Sequence, residues 1–138
     1  MGSTVRKRLP LGMTAPARAR RSLEPLRGQI DPRSFESLRL LVTELVNNSV
    51  THSGRPEGDP IFLTVDLSDD VVRAEVADRG PGFARAPPPA GAARDSGWGL
   101  FLVDRLADRW GYPRERPTRI WFELATRTRV GSEGRRAG

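Results

Sequence analysis

The stretch TELVNNSVTHS, residues 43–53, combines the pattern of an amphipathic helix with a second, polar stripe. At about 100° per residue, the apolar stripe should lie against a sheet. Its members are Leu38, Leu41, Val42, Leu45 and Ser49. Glu44, Asn48 and His52 recur every four residues and so border the apolar stripe. Such a border lines a pocket in some helices, although a solvated edge is the commoner meaning of the pattern.

The helix that contains this stretch has recognisable limits. Asp31 can act as an N-cap, and Pro32 suits the first helical position. Gly54 follows the last periodic residues. The sequence therefore predicts a helix from about Arg33 to His52.

The flanking sequence predicts a small sheet and two further helices. Residues 5–9 form a short strand candidate, and residues 15–30 predict a basic helix interrupted near Pro25. Residues 61–68 and 71–78 alternate with the period of half-buried strands, and the short step between them indicates an antiparallel hairpin.

The C-terminal part of the pattern predicts a helix and then a strand. The helix should span residues 98–110, and the closing strand residues 119–124. One face of the helix should hold Leu100, Val103, Leu106 and Ala107. The inward residues of the strand should be Ile120, Phe122 and Leu124.

Helices grouped around antiparallel strands predict an α+β fold. We expect a two-layer sandwich with a mixed, mainly antiparallel sheet and helices on one face. The length suits one domain, over residues 1–125, followed by a basic, disordered tail over residues 126–138. The long Pro- and Gly-rich loop over residues 79–97 is of a kind that is usually functional or disordered.

Composition excludes several classes of protein. The chain has no cysteine, so disulfides and thiolate metal sites are excluded. No apolar run is long enough for a membrane span, and no apolar segment follows the basic N-terminus as in a secretory signal. We expect a cytoplasmic protein. Residues 1–30 carry seven basic side chains and one acidic one, a balance of +6 that favours an acidic partner.

A second polar cluster follows the hairpin. Asp78 continues the alternation of Val72, Ala74 and Val76, so its carboxylate should face inward, where burial requires hydrogen-bond donors. DRGPG, residues 78–82, contains glycines that permit close backbone approach. Such a carboxylate can accept a hydrogen bond from the amino group of a ligand, or it can simply cap a turn.

Two further features suit a phosphorylated ligand. Glu44 and Asn48 place a carboxylate and an amide oxygen one helical turn apart, which suits Mg²⁺. SGWGL, residues 96–100, has glycines at a helix start, where free N–H groups can bind phosphate. A single GxG also occurs in flexible loops. The stretch is neither a Walker loop nor a dinucleotide fingerprint, because no GK[ST] and no GxGxxG is present.

The order of these motifs is more specific than any one of them. E-x-x-x-N on a helix, D-x-G-x-G after a strand, G-x-G-L at a helix start and a threonine before the last strand resemble the nucleotide-binding domain of the GHKL ATPases, the Bergerat fold. Within that group, ELVNNSVTHS, DRGPGF, WGLFLVDRLADRWG and TRIWFEL resemble the single-domain anti-sigma factor serine kinases. The resemblance covers roughly residues 5–125.

The resemblance implies ATP and Mg²⁺ as ligands and a role for each matching residue. Glu44 matches the acidic residue proposed as general base, Asn48 the asparagine that binds Mg²⁺, and Asp78 the aspartate that binds the adenine amino group. The other positions of the implied nucleotide site are His52, Gly80, Gly82, Gly97, Trp98, Gly99, Leu100 and Thr118. Trp98 departs from the arginine that relatives frequently carry.

The resemblance also implies a function. The protein would be a serine/threonine protein kinase that phosphorylates an anti-sigma-antagonist protein and regulates transcription by partner switching. Its partners would be a sigma factor, that antagonist protein or both, and relatives often form homodimers. A non-catalytic ATP-binding interaction module is the alternative. Nucleic-acid binding rests on the basic ends alone, which lack interleaved aromatic residues, so we do not expect it.

Overall fold

The structure is a computed structural model that describes residues 2–80, 98–112 and 119–126, with only the backbone described for residues 98–100. These residues form strands β1 (Ser3–Pro10), β2 (Pro60–Leu67), β3 (Val71–Ala77), β4 (Arg109–Gly111) and β5 (Arg119–Ala125). The helices are α1 (Ala15–Ser22), α2 (Pro32–His52) and α3 (Trp98–Leu106). No helix in the described ranges is both long and apolar enough to cross a membrane.

The strands form one sheet in the order β1-β2-β3-β5-β4. The predicted hairpin is confirmed, because β2 and β3 pair antiparallel. The sheet was expected to be mixed and mainly antiparallel. All four pairings between the described strands are antiparallel.

One face of this sheet carries the core. Val5, Val65, Ala74 and Phe122 are paired in register across four strands, and all four are buried. The helices cover this face: α2 contacts β3 and β5, α1 contacts β1 and α2, and α3 contacts α2. The α+β sandwich that the pattern predicts is therefore confirmed, and burial of this apolar face supplies most of its driving force.

The opposite face of the sheet carries ion pairs and an arginine stacked on a tryptophan ring. Arg73 forms an ion pair with Glu123 at 3.1 Å and lies over the ring of Trp121, 4.2 Å from its centroid. Arg119 pairs with Glu75 across the same two strands at 2.9 Å. These pairs are part-exposed, so each contributes little to stability.

Helix α2 begins and ends where the sequence predicts. The Asp31 carboxylate accepts a hydrogen bond from the Ser34 N–H at 3.1 Å, which caps the helix N-terminus. Pro32 occupies the first helical position. Beyond the C-terminal end, Gly54 has a positive φ of 70°, a conformation that glycine adopts without strain.

Helix α1 is shorter than predicted. The break near Pro25 is confirmed, but the α-helix ends at Ser22, and only a 3₁₀ turn over Glu24–Leu26 follows. Proline lacks the N–H that would continue the helix. Arg27 attaches this turn to α2 instead, because its guanidinium lies 4.5 Å from the centroid of Phe35. Its side-chain hydrogen bond lowers the pKa of the Glu24 carboxyl below the ordinary value.

The predicted helix over residues 98–110 is wrong at its C-terminal end. Helix α3 stops at Leu106, and residues 109–111 form the edge strand β4. The Asp108 N–H donates to the Glu123 carbonyl at 2.9 Å, and the Asp108 carboxylate accepts from the Ala125 N–H at 2.6 Å. Pairing with β5 thus replaces the last helical turn.

The inward face predicted for this helix is correct only in part. Val103 is buried and Ala107 half-buried, but Leu106 is 42% exposed. The side chain of Leu100 lies outside the described part. Ile120, Phe122 and Leu124 on β5 are buried, as predicted.

The C-terminal end of the described sheet is anchored by Thr126. This residue is buried, and its N–H donates to the Asp70 carbonyl at 2.8 Å. The rest of the tail expected over residues 126–138 lies outside the described residues, as does the loop expected over residues 79–97 from its third residue onward.

Candidate nucleotide site

A buried carboxylate marks the end of β3. Asp78 is 8% exposed, and two donors from different parts of the chain meet it. The Ser49 hydroxyl donates to its Oδ2 at 2.6 Å, and the Gly80 N–H donates to its Oδ1 at 2.7 Å. Strand alternation predicted this inward placement. The two hydrogen bonds compensate the desolvation that burial imposes on the carboxylate.

Gly80 lies against the C-terminal end of α2. A Cβ at this position would be 2.5 Å from the Ser53 carbonyl oxygen and 2.9 Å from the Ser53 Cα. Both atoms belong to the backbone, so they cannot move aside as a side chain would. Glycine is therefore required for the chain after β3 to pass this close to α2.

The two stripes of α2 have the burial that their periodicity predicts. The apolar stripe is fully buried, and it consists of Leu38, Leu41, Val42, Leu45 and Ser49. Along the polar stripe, Glu44 is half-buried, Asn48 is 9% exposed and His52 is exposed. Exposure of the polar stripe thus varies along the helix, and burial is greatest at Asn48, the residue before the one that binds Asp78.

Asn48 is the polar residue of α2 best suited to a ligand. No hydrogen bond joins its amide to any other residue within 2–80, 98–112 and 119–126. Its oxygen could accept a hydrogen bond or coordinate a hard cation.

The donor set suits Mg²⁺ bound together with a nucleotide. In the part of the chain that the structure describes, no three His, Cys, Asp or Glu side chains are placed to hold a metal ion. Mg²⁺ commonly takes only one or two protein oxygens and completes its shell with waters and phosphate oxygens. The Asn48 amide oxygen fits that arrangement, so a metal at this site would depend on the nucleotide.

The phosphate side of the predicted site is only partly described. Gly82, Gly97 and Thr118 lie outside the described residues. Trp98, Gly99 and Leu100 form the first turn of α3, as the GxG motif predicts, but only their backbone is described. Their contacts with a nucleotide therefore stay a prediction, as do those of His52.

Sequence reasoning missed the role of Ser49. It placed this residue among the apolar positions that lie on the sheet, and the structure confirms that the side chain is buried. The signal was present, because a hydroxyl in an apolar stripe requires a partner. The inward carboxylate of Asp78 was the available acceptor.

Comparison with known proteins agrees with this geometry. Residues 12–124 match the family of the histidine kinase-like ATPase domain. An uncharacterised protein of Streptomyces coelicolor is 38% identical over 74 residues, which cover 51% of this chain and 67% of that protein.

A second similar protein is the serine-protein kinase RsbW of Oceanobacillus iheyensis. It is 29% identical over 87 residues, which cover 54% of this chain and 55% of that kinase. The matched segment thus spans only about half of the length of that kinase. Together with the family match, the similarity supports an ATP-binding, kinase-like role. The family match covers the buried Asp78, its two donors and the polar stripe of α2, and on this ground the chain belongs to the histidine kinase-like ATPases, the GHKL family.

Proposed function

We propose that the protein is an ATP- and Mg²⁺-dependent serine/threonine kinase of the anti-sigma factor type, which phosphorylates a serine of an anti-sigma-antagonist protein. The observation that carries this proposal is the buried Asp78 carboxylate, held by Ser49 and Gly80 next to the polar stripe of α2. The similarity to a serine-protein kinase supports the choice of reaction.

Asp78 would hold the adenine base. A carboxylate has about four lone-pair sites, and the two donors from the protein occupy two of them. The remaining capacity suits the amino group of adenine, which carries two hydrogens. A base with a carbonyl at the same place would set two acceptors against each other, a desolvation loss of about 1–3 kcal/mol.

Asn48 and Glu44 would act on the phosphate side. Bound ATP would supply the transferable phosphoryl group, and Mg²⁺ would neutralise its charge. Asn48 would hold the metal through its amide oxygen. Glu44 lies one turn earlier on the same stripe, half-buried, and no described residue forms an ion pair or hydrogen bond with it. Its carboxylate would accept the proton of the substrate hydroxyl as a general base.

The partner would be an acidic protein surface in the cytoplasm. The basic side chains of residues 1–30 give this end of the chain a balance of +6. A cluster of like charge orients and speeds association with a surface of opposite charge. Regulation by partner switching between a sigma factor and an anti-sigma-antagonist protein is part of the same proposal, as is a homodimer, and both rest on the resemblance to the anti-sigma factor kinases.

A phosphotransfer assay tests the proposal. The protein is incubated with γ-labelled ATP and a co-purified partner, and the label is expected on the partner as acid-stable phosphoserine. Glu44→Gln preserves shape and hydrogen bonding but removes proton acceptance, so transfer should fall by roughly 10²–10⁴-fold while ATP affinity changes little. ATP binding without transfer by the parent protein would select the non-catalytic interaction module instead.

A further inference from the structure

Ser49 is a buried serine whose hydroxyl proton is already used in a hydrogen bond. Its side chain is 1% exposed, and its hydroxyl lies 2.6 Å from Asp78 Oδ2. A serine hydroxyl has one proton, and this bond uses it. Toward any other group, the Ser49 oxygen can therefore act only as an acceptor.

The same bond fixes the plane of the Asp78 carboxylate. Ser49 holds one oxygen from α2, and the Gly80 N–H holds the other from the chain after β3. Two donors on two separate elements leave the carboxylate no freedom to rotate without losing one of them. Hydrogen bonds to a charged group are short and strong, and both bonds here are 2.7 Å or shorter.

We propose that Ser49 is a positioning residue that sets the base specificity of the nucleotide site. This inference rests on the proposed binding of ATP at Asp78. With its proton held by Asp78, Ser49 makes this part of the pocket acceptor-only. An amino group on a purine meets acceptors at Asp78 and Ser49, whereas a carbonyl meets no free donor on these two residues.

Removal of the Ser49 hydroxyl changes which hydrogen-bonding groups this part of the pocket presents to a ligand. In Ser49→Ala, one oxygen of Asp78 loses its donor, and the space of the hydroxyl can admit a water molecule. A water can donate either to Asp78 or to a ligand carbonyl, so the pocket is no longer acceptor-only. ATP binding should weaken, and discrimination against a carbonyl-bearing purine should decrease.

A purely structural role of the Ser49–Asp78 bond makes a different prediction. The bond joins residues 29 positions apart and also fastens α2 to the end of β3. If the bond served only this purpose, its loss would lower the stability of the protein and weaken the binding of every nucleotide by the same factor. The ratio of two affinities therefore separates the two roles, whereas a single affinity does not.

The experiment measures the binding of ATP and of inosine triphosphate to the full chain by calorimetry. Inosine triphosphate carries a carbonyl in place of the amino group of adenine and a proton on the neighbouring ring nitrogen N1, and it is otherwise identical to ATP. The parent protein should prefer ATP at least about tenfold, and Ser49→Ala should narrow that preference by about three- to tenfold. Thermal melting confirms that each variant is folded.

Thr43→Ala is the matched control. Thr43 lies on the same helix, and its hydroxyl donates to the Arg39 carbonyl at 2.7 Å rather than to the site. Its removal should leave the ATP preference unchanged. If Ser49→Ala does not fold, Ser49→Cys replaces it, because a thiol of similar size is only a weak donor, and the preference should again decrease.

Each outcome decides one of the two proposals. A parent that binds ATP with a clear preference, and a folded Ser49 variant that keeps the same preference, overturn the role of Ser49 and leave ATP binding intact. A folded parent that binds neither nucleotide overturns the proposed function and this inference with it. A narrowed preference in the Ser49 variant, with Thr43→Ala unchanged, supports the inference.

Discussion

At the scale of single residues, Asp78 is the buried carboxylate on which the proposed function rests. It is buried at the end of a strand, and its two oxygens have different donors, a side-chain hydroxyl and a backbone N–H. This difference matters for substitutions at Asp78, because the Ser49 hydroxyl can also accept a hydrogen bond, whereas the Gly80 N–H can only donate one. An asparagine at this position can therefore be accommodated with its amide nitrogen toward Ser49 and its oxygen toward Gly80.

We expect Asp78→Asn to remain folded and to bind ATP at least about tenfold more weakly than the parent. The preference for ATP over GTP should also narrow, because an amide can donate to the guanine carbonyl. Calorimetric titration with both nucleotides measures this, with a thermal melt as the check on folding. A folded variant that binds ATP as tightly as the parent would show that Asp78 only caps a turn.

Asn48 should act through the metal rather than through the base. Because its amide has no hydrogen bond to the described residues, Asn48→Ala removes the proposed ligand oxygen without breaking a described hydrogen bond. We expect Mg²⁺ to lose its strengthening effect on ATP binding in this variant. Titrations with and without Mg²⁺ decide the point, since an intact metal effect would make Asn48 structural.

At the scale of elements, the junction between α2 and the end of β3 holds the site together. Two contacts define it: the bond from Ser49 to Asp78, and the close approach of Gly80 to Ser53. Both join residues that are far apart in sequence. The geometry of the carboxylate therefore depends on how the helix packs on the sheet.

Gly80→Ala tests this junction. The new Cβ would lie 2.5 Å from the Ser53 carbonyl oxygen, so the chain after β3 must shift and the Gly80 N–H must leave Asp78. We expect a loss of stability of about 1–3 kcal/mol, the usual cost of overpacking, together with weaker ATP binding. Chemical denaturation and calorimetry measure the two effects.

Gly54→Ala is the control for that variant. Gly54 follows the same end of α2, but no atom of the described residues, apart from its two chain neighbours, lies within 4 Å of the position a Cβ would take. Its positive φ of 70° should cost about 1 kcal/mol of stability, without a change in ATP affinity. Equal effects of the two substitutions on ATP binding would contradict the role of Gly80 in holding Asp78.

At the scale of the whole molecule, charge is concentrated at the N-terminal end. Arg18 and Arg21 on α1 are exposed, and Arg20 is half-buried. In the described parts of the chain, none of the three is in an ion pair with an acidic residue, so their charge is available to a partner. Helix α1 also packs on β1 and α2, which gives this surface a rigid support.

Reversal of Arg18, Arg20 and Arg21 to Glu should slow association with the protein that accepts phosphate in the transfer assay. ATP affinity should stay unchanged, because no described hydrogen bond or ion pair joins these three arginines to the residues of the candidate nucleotide site. Stopped-flow association rates at low and high salt measure the effect, which screening should reduce at high salt. Equal rates for parent and variant at low salt would refute docking at α1.

The sequence by itself determined the elements that depend on local patterns. The start of α2 followed from Asp31 and Pro32 and its end from Gly54. The antiparallel hairpin followed from two alternating segments, residues 61–68 and 71–78, with a short step between them. The inward side of Asp78 followed from the same alternation, because a period of two places every second residue on one face. The resemblance to the GHKL family, confirmed by comparison, rested on the order of short motifs.

Only the tertiary structure decided which distant groups meet. Sequence periodicity does not encode the pairing of Asp78 with Ser49, 29 residues away, nor the need for glycine beside Ser53. The predicted end of α3 is wrong for the same reason. The apolar pattern of residues 98–110 is that of a continuous helix, but the backbone N–H of Asp108 forms a hydrogen bond with Glu123 of β5 instead. The local preference of these residues for a helix is overridden by long-range strand pairing, because tertiary packing contributes more to stability than helix propensity does.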